Sequence, residues 1–118
     1  MTSNNKKHIK ASITAVGGYL PEDSISNKDL EAMVDTNDEW IRARTGIKKR
    51  RVLKEKGKGT SYLAVNAANN LIVRKKIDPT TIDLVIVATI TPDFHCASTA
   101  PSVASAINAI NAYAYDIS

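Results

Sequence analysis

Residues 82–90 read Ile-Asp-Leu-Val-Ile-Val-Ala-Thr-Ile, a nearly continuous β-branched and apolar run. A strand that meets water on one face alternates apolar and polar residues, so an unbroken run predicts a strand covered on both faces. Residues 112–118 (Ala-Tyr-Ala-Tyr-Asp-Ile-Ser) read as another strand. Between the two, Pro101 fits the first turn of an alanine-rich helix running to about Ile110. Small side chains at Ala100, Ala104, Ala106 and Ala109 allow that helix to pack closely. Strand, helix and strand in this order predict an α/β domain with parallel strands. A chain that stops on such a strand leaves the next crossover and its covering layer unsupplied, so residues 1–118 are expected to be part of a larger domain.

Upstream, residues 8–17 alternate loosely, with Ile9, Ile13 and Ala15 against Lys10, Ser12 and Thr14, and predict a first strand. Gly17-Gly18 and Pro21 break it. Ser26 is an expected N-cap with Asp29 at the third helical position, and Ile25 and Leu30 are placed for a hydrophobic staple. That helix carries Leu30, Met33 and Val34 on one face. Thr36 with Glu39 repeats the capping pattern and starts a second helix, which Gly46 stops. A lysine- and glycine-rich loop over 54–59 precedes a longer helix opened by Thr60, with Leu63, Ala67, Leu71 and Ile72 on its apolar side, and Asp78-Pro79 ends that region. The predicted order is β–α–α–α–β–α–β.

The chain has 118 residues, 43% apolar and 24% charged, which suits one small globular domain. No run is long and apolar enough to predict a membrane span, and residues 1–7 lack the apolar segment of a secretory signal. One cysteine excludes an internal disulfide and fits a reducing cytoplasm. His8 and His95 are too few and too separated for a zinc site, so no metal is expected. Neither a phosphate-binding loop of the Walker type nor a dinucleotide fingerprint is present. The net charge of +4 is concentrated at Lys48-Lys49-Arg50-Arg51 and over 54–58. Two readings stand: a solvated loop kept soluble by its lysines, or a positive surface for an anionic partner.

Thr36, Trp40 and Arg44 recur every four residues, slightly more than one helical turn, and so form one stripe. An indole beside a guanidinium can grip a flat heterocycle, and the guanidinium can also take a phosphate. That is the chemistry of a nucleotide handle; an ordinary packing pair on a surface helix has the same spacing. His95-Cys96 is not a catalytic pair, because adjacent side chains in an extended segment point to opposite sides.

Several ordered motifs together resemble the N-terminal region of the β-ketoacyl-acyl carrier protein synthase III family. They are Gly17-Gly18-Tyr19-Leu20-Pro21-Glu22, the N-x-D-L-x-x-M-V-D pattern over 27–35, and Asp38-Glu39-Trp40-Ile41 with Arg44-Thr45-Gly46-Ile47. Val87-Ala88-Thr89-Ile90-Thr91-Pro92-Asp93 and Tyr115-Asp116-Ile117-Ser118 complete the series. The resemblance implies a thiolase-like α/β fold, layered α-β-α-β-α in the full enzyme, with this chain as most of the N-terminal half. It implies that residues 1–118 are one partial domain, ending just before an A-A-C-x-G-F motif that carries the nucleophilic cysteine. No catalytic residue is then expected in the chain, which alone should be inactive.

The resemblance further implies a cytoplasmic, homodimeric acyltransferase that condenses an acyl-CoA primer with malonyl-acyl carrier protein to start fatty-acid synthesis. Acyl-CoA enters as substrate; no cofactor stays bound, and neither nucleic acid nor membrane is a partner. Thr36, Trp40 and Arg44 would hold the coenzyme A nucleotide. Cys96 falls where a bulky apolar residue enters the acyl pocket across the dimer interface, and Cys96-Ala97 replaces the family's usual F-P. A smaller side chain there implies a pocket that takes longer or branched primers, unless Cys96 is a buried cysteine that merely fills space. Two competing readings are a truncated or non-catalytic relative, and a basic module contacting nucleic acid through residues 48–58. The basic module lacks the aromatic interleaving such surfaces use.

Overall fold

The computed structural model describes residues 11–118, which contain two strand pairs, four α-helices and a short 3-10 helix (Pro79–Thr81). The strands predicted at 82–90 and 112–118 form as β3 (Leu84–Ala88) and β4 (Tyr113–Ile117), with α4 (Thr99–Ala106) crossing between them. They are parallel, with Leu84 opposite Tyr113 and Ala88 opposite Ile117. Alternation along β3 and β4 turns Val85, Val87 and Ala114 toward α4 and α3 (Thr60–Lys75), and these meet Val65, Ala100, Val103 and Ala104 in the core. Ala100, Ala104 and Ala109 are buried, while Ala106 faces out. The opposite sheet face carries Leu84, Ile86, Tyr113, Tyr115 and Ile117, each at least 46% exposed. Cover on both faces was expected; within the described residues helices cover one.

α4 stops at Ala106, short of the predicted Ile110. Asn108 adopts a left-handed backbone (φ 61°), its N–H bonds the Ser105 carbonyl, and the Ala109 N–H bonds the Ala104 carbonyl at 2.9 Å. This is a Schellman ending built on asparagine in place of glycine. α3 uses two faces. Ala64, Val65, Ala68 and Ile72 enter the core, while Ala67 and Leu71 lie beneath Gly17. A Cβ on Gly17 would sit 2.7 Å from the Leu71 Cβ and 2.8 Å from the Ala67 carbonyl oxygen, so only glycine permits this approach.

The first strand predicted at 8–17 is not found over residues 11–17; residues 8–10 lie outside the described residues. A strand needs a ladder partner, and this segment instead rests on α3, where the Arg74 guanidinium donates to the Val16 carbonyl. Among the described residues the first strand is β1 (Ser24–Ser26), antiparallel to β2 (Lys49–Arg51). The basic run was read as loop or charged surface. The last three residues of Lys48–Arg51 are a strand because the intervening helices, α1 (Asn27–Glu31) and α2 (Asp38–Thr45), bring 49–51 back beside 24–26.

Candidate functional site

Between β1 and β2 lie α1 (Asn27–Glu31) and α2 (Asp38–Thr45). The predicted capping box forms: the Asp29 N–H donates to the Ser26 Oγ, and the Ser26 N–H donates to the Asp29 carboxylate at 2.8 Å. The Ser26 hydroxyl also donates to the Asp29 carboxylate at 2.7 Å; that bond first, then the Ser26 N–H, holds the Asp29 carboxyl below the usual carboxylate range. α1 is shorter than predicted, and Met33 and Val34 stand 67% and 58% exposed beyond its end.

α2 begins one residue later than expected. Asn37, rather than Thr36, is the N-cap, its Oδ1 accepting the Trp40 N–H at 2.8 Å. Asparagine caps at least as well as threonine, so the helix takes the nearer residue. Thr36 therefore lies outside the helix, half-buried, and does not cap it. The Glu31 carboxylate accepts the Asp38 N–H at 2.7 Å and satisfies another early donor. Asp38 and Glu39 in the first turn and Arg42 and Arg44 in the last complement the helix dipole. Gly46 ends the helix in a left-handed conformation (φ 70°), as predicted.

Ile41, 7% exposed, anchors α2, while Trp40 projects with half its surface open. The Arg44 guanidinium carbon lies 4.4 Å from the Trp40 ring centroid. The structure thus brings Trp40 and Arg44 into a cation–π pair, with Thr36 just before the helix they share.

Asn27 was named only as part of a motif, yet it is the buried polar centre of this region at 1% exposure. Its Nδ2 donates to Asp38 Oδ1 at 2.8 Å and to the Ile47 carbonyl at 2.7 Å, and its Oδ1 accepts from Arg50 at 2.8 Å. The Asn27 amide, then Arg42, holds the Asp38 carboxyl below its ordinary range. Arg51 donates to the Pro21 and Glu22 carbonyls. Two of the four basic residues at 48–51 are thus engaged internally.

At the C-terminal ends of β3 and β4, Ala88, Thr89, Ile90, Ile117 and Ser118 line an open groove. Carboxylates from afar cap the helices beside it. Asp116 accepts the Thr99 and Ala100 N–H groups at 2.6 and 2.7 Å, where Ser98 offers α4 no side-chain cap. Asp93 accepts the Ser61 N–H at 3.1 Å, where Gly59 offers α3 none. The Thr99 N–H bond leads in holding the Asp116 carboxyl low. A lowered folded-state value stabilises the fold fully above the unfolded carboxyl range (about 4) and is lost as pH falls through the folded value. Replacing Asp116 by Asn should therefore destabilise the protein at neutral pH and flatten its loss of stability below about pH 4. Urea midpoints taken across that range check this; parallel curves for the two proteins would refute it.

Cys96 lies in the loop between β3 and α4 and is exposed, so it does not fill space within the described residues. Phe94 in the same loop is 66% exposed. Among the described residues no helix is long and apolar enough to cross a membrane.

No family model matches the chain. It is 56% identical over 109 residues to a β-ketoacyl-[acyl-carrier-protein] synthase III of Porphyromonas gingivalis, covering 92% of this chain and 32% of that protein. A relative of the same name from Chlorobium chlorochromatii is 52% identical over 109 residues, covering 92% of this chain and 33% of its own length. The chain thus spans about a third of the curated relatives it matches. Among solved structures, 3-oxoacyl-[acyl-carrier-protein] synthase III from Aquifex aeolicus superposes with a TM-score of 0.78 at 44% identity, over 86% of this chain and 32% of that one. A priming β-ketosynthase from a polyketide pathway gives the same TM-score at 34% identity, over 86% of this chain and 30% of that one. Motifs, fold and relatives agree: over the residues it spans, the chain belongs to the β-ketoacyl-acyl carrier protein synthase III family and has its thiolase-type α/β fold.

Proposed function

We propose that this chain is the N-terminal portion of an enzyme that condenses an acyl-CoA primer with malonyl-acyl carrier protein to start fatty-acid synthesis. The observation that carries the reading is the 56% identity over 92% of the chain to a relative named as such a synthase. In the reaction a cysteine thiolate attacks the primer thioester and expels coenzyme A. Malonyl-acyl carrier protein then loses carbon dioxide, and the resulting enolate attacks the acyl-enzyme. The 3-oxoacyl product leaves on the carrier protein as the cysteine thiolate departs. The A-A-C-x-G-F motif that carries the nucleophile in the family does not occur within residues 1–118, so these residues alone carry out none of these steps.

These residues supply the entrance. Trp40 and Arg44, with Thr36 beside them, hold the coenzyme A nucleotide: the indole stacks on adenine and the guanidinium meets phosphate. Their pairing at 4.4 Å on an exposed face supports that role. Lys48 and Lys49, exposed beside α2, add positive potential that draws in the coenzyme phosphates and the acidic carrier protein. The enzyme works in the cytoplasm as a homodimer and keeps no cofactor or metal. Neither nucleic acid nor membrane is a partner. The internal engagement of Arg50 and Arg51 removes much of the support for a basic nucleic-acid module.

Cys96 reaches across the dimer interface into the acyl pocket, where its small side chain leaves room for longer or branched primers. The experiment supplies a protein spanning the full length of its relatives with malonyl-acyl carrier protein and acetyl, longer or branched acyl-CoAs, and follows the product by mass. The expected result is 3-oxoacyl-acyl carrier protein from all three primer types, with none from residues 1–118 alone. No product from any primer overturns the enzyme reading. A strict acetyl preference overturns the roomier pocket and leaves the condensation intact.

A further inference from the structure

The structure assigns Asn27 as a positioning residue for the Trp40–Arg44 surface: its side-chain amide clasps both ends of the helix that carries them. This inference rests on the reading of that surface as a coenzyme A handle. α2 is only two turns long, and a helix of that length holds no fixed orientation without tertiary contacts. Its single buried side chain, Ile41, restrains one point on the helix. One Nδ2 hydrogen of Asn27 meets Asp38 at the first helical residue, and the other meets the carbonyl of Ile47, just past the Gly46 cap. Start and end are thereby tied to the same buried group.

That group is itself fixed from two sides. Arg50 on β2 donates to Asn27 Oδ1, and the Asn27 N–H donates to the Lys48 carbonyl at 3.2 Å. The β1–β2 ladder, with Ile25 opposite Arg50, places both partners. Two side chains of similar size do not fit the site. Aspartate has no donor for Asp38 or Ile47 and would set two carboxylates together, while leucine would leave the Asp38, Ile47 and Arg50 groups without the amide. Asn27 hydrogen-bonds Asp38, Ile47 and Arg50 rather than Trp40 or Arg44, so it acts on that pair through the helix.

The test measures the dissociation constant for coenzyme A in a protein spanning the full length of its relatives. Asn27→Ala is made in the parent and in a Trp40→Ala/Arg44→Ala background. In the parent, Asn27→Ala should weaken binding about three- to tenfold, inside the roughly 2- to 30-fold that a full stacking contribution represents. In the handle-less background the same change should alter binding by less than about twofold, because a coupled pair is non-additive. A purely structural role predicts equal weakening in both backgrounds, and that result overturns the assignment. Unchanged affinity in the parent overturns it too. If the Trp40→Ala/Arg44→Ala protein binds as the parent does, the handle reading fails and this inference with it. A weakened handle variant beside a neutral Asn27→Ala condemns this inference alone. Should Asn27→Ala not fold, Asn27→Ser is read instead by the same criteria, since its hydroxyl can keep one donor.

Discussion

Asn27→Ala should lower the stability of the protein by about 2–3 kcal/mol, because three polar partners lose one buried amide. Each hydrogen bond contributes about 1 kcal/mol net, and a buried group left unpaired costs about 1–3 kcal/mol more. Asp38 and Arg50 are half-buried and recover part of that from water, which keeps the total below the sum of the separate penalties. The cavity left at a site only 1% exposed adds to the loss. Urea unfolding at an unchanged slope would show the effect as a lowered midpoint. A shift equivalent to less than about 0.5 kcal/mol, typical of an unremarkable surface change, would mean that the network does not hold α1, α2 and β2 together.

Ala100→Leu should cost about 3 kcal/mol, at the upper end of the range for overpacking. Ala100 is fully buried at the start of α4, against Val87 and Val103, and its N–H is held by Asp116 at 2.7 Å. A longer side chain there must push α4 from the sheet or bend it off the Asp116 carboxylate. Neighbouring Ser102 is exposed on the same helix, so Ser102→Leu is the control and should change stability by less than about 0.5 kcal/mol. Equal losses in the two variants would show that α4 does not pack through its alanine face.

The parts legible in the sequence were those whose causes are local. The β3–α4–β4 unit announced itself through an unbroken apolar run and an alanine-rich helix with Pro101 in its first turn. Ser26 with Asp29, and Gly46 at positive φ, carry their geometry in residue type and spacing. What escaped depends on distant partners. Lys49-Arg50-Arg51 has no strand pattern, and its ladder exists because the helical hairpin delivers it to Ser24-Ile25-Ser26. Asp93 and Asp116 cap helices 32 and 16–17 residues away in sequence, which no local capping rule can find. Asn108 in a left-handed turn was missed because glycine is the usual residue there.

The candidate surface was half legible. The spacing of Trp40 and Arg44 placed them together, as the structure does, while Thr36 was taken for a cap that Asn37 supplies. Asn27 could have been found by asking which short polar residue, lying between a cap serine and a capping aspartate, would face inward. Its three partners lie 11, 20 and 23 residues away, so the sequence offered no spacing to read.

We propose that the Trp40–Arg44 face holds the nucleotide of acyl-CoA. The most direct measurement is coenzyme A affinity by calorimetry, comparing Trp40→Ala with the parent in a protein spanning the length of its relatives. The predicted result is a dissociation constant raised about 2- to 30-fold, with binding of the pantetheine fragment unchanged. Equal coenzyme A affinity in the two proteins would contradict the claim and leave Trp40 and Arg44 as an ordinary surface pair.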